Sequence, residues 1–295
     1  MRLRIAAAVA IGVILVGILA WPLAAPPDLL DAVRAGSIDF TGKATLLILA
    51  ILAGFIAYFV SWPYGREIGV LAAPSGLALW AGRSGSMANL IQLNPTLAQR
   101  QVLFASLKWE AIFWLLIVAA GFAGVLAAQK IISNPPEADP AEEQDKPNSK
   151  LNTHLNAAIA LVGSVLISQF FIGIFAQDVK IPDSRLGSVM GQPAIGQLIF
   201  AVLVSFGLVA FAAKAFLNVS YIWPSIASSL VTALGITLYA KQNILEHLVE
   251  SWPAVFFPHA VISILPIQMV AFGTLGSIAG YWLAIRYNYW RKSEI

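Results

Sequence analysis

The chain has 295 residues, of which 59% are hydrophobic and only 11% charged, and its net charge is +3 at pH 7. A soluble globular protein is about half apolar and about a quarter charged, so this composition excludes a water-soluble enzyme of this length. The sequence has no cysteine, which excludes disulfides, thiolate metal sites and cysteine nucleophiles. The basic residues are scattered singly, which excludes the clustered basic face of nucleic-acid-binding proteins. We therefore predict a polytopic membrane protein built as an all-α bundle of transmembrane helices.

The N-terminal segment has features of both a signal peptide and a first transmembrane helix. Arg2 and Arg4 precede the apolar run Ile5–Ala24, which is long enough to span a bilayer. Pro22 and Pro26 crowd the region where cleavage would have to occur. We therefore expect a retained first helix whose N-terminus lies in the cytoplasm.

Six further apolar runs have spanning length, which is about 20 residues for a helix. They are Ala44–Trp62, Ala111–Gln129, Leu155–Ala176, Ala194–Ala213, Ile222–Ala240 and Ala254–Ile285. The last run is longer than one perpendicular crossing needs and contains Pro258 and Pro266, so we expect a tilted or kinked helix there.

An eighth segment, Pro63–Gly82, is ambiguous. It reaches spanning length only if the helix begins at Pro63, a favourable first helical position for proline because its missing N–H would be unbonded there. The alternative is a re-entrant or interfacial helix. Counting it as a span gives four crossings in each half of the chain and eight in all.

A polar linker separates the two halves. The stretch from Ser133 to Thr153 holds four prolines and five acidic residues and almost no apolar side chains. Such a composition buries too little apolar surface to offset the entropy of ordering. We predict a disordered, solvated linker over residues 131–153, with an acidic docking segment as the alternative.

The two halves, residues 1–130 and 154–295, share four short blocks in the same order. The matching pairs begin at Arg34 and Arg185, at Trp62 and Trp223, at Gly76 and Gly235, and at Trp109 and Trp252. Chance is the alternative, because apolar sequence has a small alphabet and the block spacings differ. A true duplication with an even number of spans predicts two parallel four-helix repeats related by an axis along the membrane normal.

Eight crossings return the C-terminus to the cytoplasm. Arg286, Arg291 and Lys292 then follow the last helix on the side that the positive-inside rule prefers. We assign the chain to a bacterial cytoplasmic (inner) membrane with both termini inside.

The sequence contains no set of catalytic, cofactor-binding or metal-binding residues that we can assemble, and we predict none. His247 and Glu250 lie one helical turn apart, but no second ligand pair accompanies them, so we interpret both as solvated surface residues. Glu110 lies at the mouth of a span rather than at its centre, which disfavours an ion-coupled carrier. Met87–Leu103 and Gln242–Glu250 are predicted amphipathic segments on the outer surface.

A few polar residues are weak candidates for contact with a ligand or lipid: Arg34, Arg185, Gln169, Gln197, His259 and Gln268. The two arginines each precede a Gly-Ser pair and a span, so they either anchor their helices or form a joint anion site. The glutamines act as interhelical hydrogen-bonding groups or as substrate ligands. Gly276 and Gly280 predict a close helix contact, within the bundle or in a dimer.

Two functional hypotheses follow. The first is a non-catalytic scaffold, assembly or envelope component, since no catalytic group is evident. The alternative is a transporter or lipid-handling permease whose path lies between the two repeats. The expected partners are membrane lipids and a membrane protein or a second copy of the chain, without nucleic acid and without a cofactor.

Overall fold

A computed structural model describes residues 1–26, 31–132, 149–252 and 255–293. The fold is all-α apart from one small antiparallel hairpin. Its helices are α1 (Arg2–Leu19), α2 (Trp21–Ala24), α3 (Phe40–Val60), α4 (Gly65–Ile68), α5 (Ala72–Arg83), α6 (Met87–Leu93), α7 (Leu97–Ile132), α8 (Ser149–Phe175), α9 (Ile195–Leu217), α10 (Ile222–Tyr239), α11 (Gln242–Ser251) and α12 (Pro266–Ser293). The hairpin consists of strands β1 (Lys180–Asp183) and β2 (Gly187–Met190).

Seven helices in the described part of the chain are long and apolar enough to cross a membrane. They are α1, α3, α7, α8, α9, α10 and α12. Large apolar side chains are exposed along many of these helices, as expected for surfaces that face lipid. The chain is therefore an integral membrane protein made of transmembrane helices, which confirms the predicted class.

The ambiguous segment is helical from Gly65 to Arg83, with a 3-10 turn over Gly69–Leu71 between α4 and α5. It lies beside α1 and runs in the same direction. At one end the Arg4 guanidinium lies 5.7 Å from the centre of the Tyr64 ring. Further along, the Trp80 indole N–H donates to the carbonyl of Gly17 over 2.9 Å. At the other end the Arg83 guanidinium lies 5.8 Å from the centre of the Trp21 ring.

These contacts define the two ends of the bundle. We call the end at Arg4 and Tyr64 the N-terminal face, and the end at Trp21 and Arg83 the hairpin face. Segment 65–83 extends from the first face to the second and is almost wholly buried among α1, α3, α7 and α12.

Each half of the bundle contains one pair of parallel helices in very close contact. In the first half, α3 packs on α7, and a Cβ at Gly54 or Gly124 would collide with the backbone carbonyl of Gly121 or Ile51. In the second half, α9 packs on α12, and a Cβ at Gly276 or Gly280 would collide with the carbonyl of Leu203 or Gly207. Small residues allow such close backbone approach where lipid supplies no hydrophobic driving force. Gly276 and Gly280 therefore serve packing within this chain.

The two halves meet through α5 and α7 on one side and α10 and α12 on the other. The helix α12 packs against both α5 and α7, and α10 packs against α7. Polar groups bridge this interface: the Ser229 hydroxyl donates to the carbonyl of Ala111 over 3.1 Å, and the Gln268 amide donates to that of Ala81 over 3.2 Å.

A cap of short elements covers the hairpin face. It contains the β-hairpin, α6, the first turns of α7, and α11. Its apolar core includes Met87, Phe104, Leu245 and Phe257. Met190 at the end of β2 pairs with Phe257 through two backbone hydrogen bonds, of 2.9 and 2.8 Å.

Several predicted boundaries differ from the structure. The helix α7 begins at Leu97 instead of Ala111, so the predicted amphipathic segment Met87–Leu103 is divided between α6 and α7. The predicted linker lies outside the described residues from 133 to 148, and its last residues, 149–153, form the start of α8.

The last helix begins later than predicted. The helix α12 starts at Pro266, so Pro258 and His259 lie in the connection before it, and Ala260–Ser263 form a 3-10 turn. Pro266 occupies the first helical position, and the Gln268 side chain accepts a hydrogen bond from the N–H of Leu265 over 3.1 Å. This hydrogen bond from the N-cap N–H to the side chain at the third helical position, together with Pro266, fixes the helix start.

Candidate functional site

A cavity of about 470 Å³ opens between the two halves at the N-terminal face. Its volume lies within the range of about 300–1,000 Å³ that is typical of small-molecule sites. We call it the vestibule. It is lined by Arg66, Glu67 and Val70 from the first half, by Phe122, Val125 and Leu126 of α7, by Ser220, Tyr221 and Ile222, and by Tyr281, Trp282 and Ile285 of α12.

Aromatic side chains form one wall of the vestibule. The Tyr221 ring contacts Phe122 edge to face at 5.9 Å between centroids, and contacts Tyr281 in the same way at 5.3 Å. The ammonium of Lys214 lies 5.1 Å from the centre of the Tyr281 ring. Burial, reinforced by Tyr281, raises the pKa of Tyr221 to about 12 even though Arg66 opposes the shift. The Tyr221 hydroxyl therefore stays protonated and offers a hydrogen-bond donor at neutral pH.

The vestibule has a polar end and an apolar opening. Arg66 and Glu67, just after the turn that ends α3, place one positive and one negative group at the N-terminal face. Leu126, Ile222 and Ile285 line the cavity and are 55%, 45% and 42% exposed, on helices that face lipid. This combination suits an amphipathic molecule whose headgroup meets the charged pair and whose chain lies toward the bilayer.

On the hairpin face, Asp183 forms the densest hydrogen-bonded cluster that we find in the described residues. Its carboxylate accepts hydrogen bonds from the backbone N–H groups of Arg185 and Leu186 at 2.8 and 2.7 Å. It also accepts from the Trp252 indole at 2.8 Å and from His247 Nε2 at 2.9 Å. Burial alone would raise the pKa of Asp183, but these four donors together hold it well below its usual range.

His247 is buried in this cluster, so its interpretation as a solvated surface residue is wrong. Its Nε2–H donates to Asp183, which leaves Nδ1 to accept from the Ser251 hydroxyl at 3.2 Å. The order Ser-His-Asp resembles that of a catalytic triad. The Asp183 carboxylate is, however, saturated by donors that tie the hairpin turn to α11, and Ser251 lines none of the cavities described here. We therefore interpret the cluster as a structural link within the cap.

The three candidate glutamines differ in their surroundings. Gln268 bridges the halves as described above, and Gln197 donates to the carbonyls of Phe175 and Gln177 at 3.0 and 2.6 Å, where α8 ends. Both therefore satisfy backbone carbonyls that have no intrahelical partner. Gln169 is half-buried on α8, and its side-chain amide makes no hydrogen bond to any described residue.

The two candidate arginines lie in different local structures. Arg34 precedes a 3-10 turn and lies near the buried carboxylate of Glu110, whose Oε1 is 3.8 Å from the Cβ position of Gly36. Arg185 lies in the exposed turn of the β-hairpin. Within the described residues, no contact joins the two arginines, and a joint anion site stays a prediction.

His259 lies at the hairpin face, stacked on the Tyr239 ring with 4.9 Å between ring centroids and an interplanar angle of 6°. Its Nδ1 accepts from the N–H of Val261 at 3.3 Å. Burial and, to a smaller degree, the charge of Lys180 lower the pKa of His259.

Sequence reasoning missed the vestibule and Asp183 for one reason: their residues come from segments far apart in the chain. A turn signal existed for Asp183, because Pro182 and Gly187 flank it and both residue types favour turns. In the described part of the chain, no group of three or more His, Cys, Asp or Glu side chains could hold a metal ion.

Comparison of the whole chain with known proteins adds no assignment, since no protein family, no curated protein and no solved structure matches it.

Proposed function

We propose that this chain is a lipid-handling membrane protein of eight spans in two parallel four-helix repeats, and that the vestibule between the repeats binds an amphipathic molecule. The single observation that carries the binding proposal is the vestibule itself, which combines charged groups at the N-terminal face with apolar walls open toward lipid.

In this proposal segment 65–83 also crosses the membrane, as the third span in chain order, which raises the count from seven to eight. Support comes from its course beside α1. At one end Tyr64, the residue just before the segment, contacts Arg4. At the other end Trp80 and Arg83 both contact Trp21. A helix that runs beside a spanning helix from one face of the bundle to the other is long enough to cross the membrane itself. Burial inside the bundle explains its 3-10 interruption, because neighbouring helices rather than lipid surround the irregular backbone.

The repeat proposal is supported by equivalent helix packing in the two halves. In this count α3 and α7 are the second and fourth spans of the first half, and α9 and α12 are the second and fourth spans of the other. Both pairs are parallel and both depend on glycine contacts. The contacts between halves are also reciprocal, because the third span of each half packs on the fourth span of the other. A twofold axis along the membrane normal would pass between α7 and α12, where the vestibule opens.

We place the N-terminal face in the cytoplasm of a bacterial cell. Arg66, Lys130, Lys214 and Arg286 lie at the ends of helices on this face, as the positive-inside rule favours. The vestibule would then open toward the inner leaflet of the cytoplasmic membrane.

The test is photochemical crosslinking of a phospholipid that carries a diazirine in its acyl chain. The protein would be reconstituted in nanodiscs, illuminated and digested, and adducts would be mapped by mass spectrometry. We expect adducts on the peptides that contain Phe122–Leu126 and Tyr281–Ile285. Arg66→Gln should reduce the adduct yield about tenfold, the effect of losing one charge-assisted hydrogen bond. Arg286→Gln, an outward-facing arginine near the same face, is the matched control.

Adducts spread evenly over all lipid-facing helices, with no dependence on Arg66, would reject the vestibule as a binding site. A transport step is tested separately in proteoliposomes, by the loss of fluorescence when dithionite quenches labelled lipid that has moved to the outer leaflet. Quenching no faster than in protein-free vesicles would leave a binding protein without a permease activity.

A scaffold is the second candidate, favoured by the cap on the hairpin face. Asp183 links the hairpin to α11, and Met190 links it to Phe257, so the cap presents a fixed surface outside the membrane. A stable complex between this cap and a second membrane protein, without lipid adducts in the vestibule, would favour the scaffold over the lipid-handling proposal.

A further inference from the structure

A second, much smaller cavity lies at the hairpin face, away from the vestibule. It has a volume of about 80 Å³ and lies between the last turn of α8, the β-hairpin and the connection before α12. Three of the side chains that line it carry polar hydrogens: Lys180 of β1, Ser188 of β2 and His259. We call it the hairpin-face pocket.

The hydrogen-bonding state of His259 makes it a donor toward this pocket. Its Nδ1 accepts from the N–H of Val261, so the proton of the neutral ring is on Nε2. That Nε2 faces the last turn of α8, 3.6 Å from the Cβ position of Gly173. The flat stack on Tyr239 holds the ring in this orientation.

The polar groups of Lys180 and Ser188 are also available for hydrogen bonding. The Lys180 ammonium and the Ser188 hydroxyl make no hydrogen bond to any described residue, and no carboxylate is among the residues that line the pocket. Lys180 and His259 are two basic groups that face one cavity, and the Lys180 charge contributes to the lowered pKa of His259. An anion between them would pair with the Lys180 charge and accept all three hydrogen bonds.

Size and position narrow the choice of anion. A volume of about 80 Å³ holds about two or three waters, so the pocket has room for one small group rather than a drug-sized ligand. The helices α8 and α10 end at Phe175 and Tyr239, which places the pocket at the membrane surface of the hairpin face, where lipid headgroups lie. Exposed Phe170 and Ile174 continue from it along α8 as an apolar surface for an acyl chain.

We propose that the hairpin-face pocket binds a phosphate group through Lys180, Ser188 and His259. The phosphate comes from a phospholipid headgroup or from free phosphate, and both sources meet the same three donors. This site lies on the opposite membrane surface from the vestibule and does not depend on the proposed function.

The test uses purified protein in a phosphate-free maltoside detergent. Thermal unfolding is followed by tryptophan fluorescence while inorganic phosphate or short-chain phosphatidylglycerol is added. We expect the unfolding midpoint of the unmodified protein to rise with the ligand. Lys180→Gln and His259→Gln should weaken the apparent affinity about tenfold each, the loss expected for one charge-assisted or buried hydrogen bond. Lys241→Gln, an exposed lysine on the same face, should leave it unchanged.

Comparing the two added ligands distinguishes free phosphate from a phospholipid headgroup. A response to both ligands identifies the phosphate group itself as sufficient, and a response to phosphatidylglycerol alone identifies a lipid headgroup. An equal response to a short-chain diacylglycerol, which lacks phosphate, overturns the proposal. The proposal is also overturned if neither phosphate ligand raises the unfolding midpoint of the unmodified protein. It is overturned as well if Lys241→Gln weakens the apparent affinity as much as Lys180→Gln does. Lys180 is exposed, so its substitution tests the site even if His259→Gln is poorly folded.

Discussion

At the scale of single residues, Asp183 shows how one carboxylate organises the cap. The hairpin turn alone supplies two of its donors, Arg185 and Leu186, while α11 and the residue after it supply His247 and Trp252. An ionised carboxylate that accepts several hydrogen bonds is stabilised in its charged form. The hairpin and α11 are therefore joined by a charge that must stay ionised.

This arrangement predicts a loss of stability in acid. Because the pKa of Asp183 is lowered by folding, its contribution is complete above the unfolded-state value of about 3.9 and is lost as the pH falls toward the folded-state value. Asp183→Asn should lower the thermal unfolding midpoint at pH 7. The difference in midpoint between this variant and the unmodified protein should shrink as the pH falls below about 4. Glu250→Gln, an exposed carboxylate on α11, is the control. A gap that is the same at pH 7 and pH 3 would show that the charge of Asp183 does not matter.

The Gln268 side chain joins the two halves, because it hydrogen-bonds a backbone group in each of them. Replacing it by leucine keeps the volume but leaves the N–H of Leu265 and the carbonyl of Ala81 without their partners. We expect Gln268→Leu to lower the free energy of unfolding by about 1–3 kcal/mol, the penalty for unsatisfied buried groups. Gln169→Leu removes an amide with no partner among the described residues and should have little effect. Equal losses in the two variants, measured by thermal denaturation in detergent, would contradict this role.

At the scale of elements, hydrophobicity predicted the presence of the spans better than their ends. The start of α7 lies 14 residues before the predicted one, because its first turns bury Leu103, Phe104 and Leu107 against the cap instead of lipid. Conversely, α12 starts at Pro266 because Gln268 caps it there. In both cases the deciding contact comes from tertiary packing or a cap, which a hydropathy pattern does not contain.

The glycine contacts of the two parallel helix pairs carry an element-scale prediction. Gly280→Val and Gly124→Val would each drive a side chain into a facing backbone carbonyl, at Gly207 and at Ile51. We expect each to cost about 1–3 kcal/mol or more and to lower the unfolding midpoint, since the backbones cannot both stay in place. A Cβ at Gly163 of α8 meets open space, so Gly163→Ala should be neutral or slightly stabilising. Valine variants as stable as Gly163→Ala would refute the close-packing account.

At the scale of the whole molecule, the number of crossings decides on which side each connection lies. With eight spans and the N-terminus inside, Ser37 and Ala105 lie outside and Ser149 lies inside. The chain has no cysteine, so Ser37→Cys, Ala105→Cys and Ser149→Cys can each be labelled without background. We expect a membrane-impermeant maleimide added to intact cells to label the first two and not the third. Both side chains at Ser37 and Ala105 are exposed in the folded protein.

Each alternative gives its own labelling pattern. If segment 65–83 did not cross, Ser37 and Ala105 would be labelled from opposite sides of the membrane. If the count is right and the orientation reversed, Ser149→Cys alone would be labelled from outside.

The sequence by itself determined the class of this protein and the location of most spans. Long uncharged runs have no stable place except in lipid, because each charge buried there is costly, so composition alone indicates an integral membrane helical bundle. It also indicated one of the close helix contacts, since Gly276 and Gly280 lie one turn apart on α12.

Only the tertiary structure decided which residues from distant segments meet. The vestibule joins Arg66 to Tyr221 and Trp282, and the Asp183 cluster joins the hairpin to α11, across separations that no local pattern encodes. The sequence alone leaves it open whether segment 65–83 spans the membrane, because its own hydrophobicity is marginal. Its burial depends on α1, α3, α7 and α12. Hydrophobicity places a helix in the membrane, but side-chain packing and hydrogen bonds between helices select its neighbours and create the cavities.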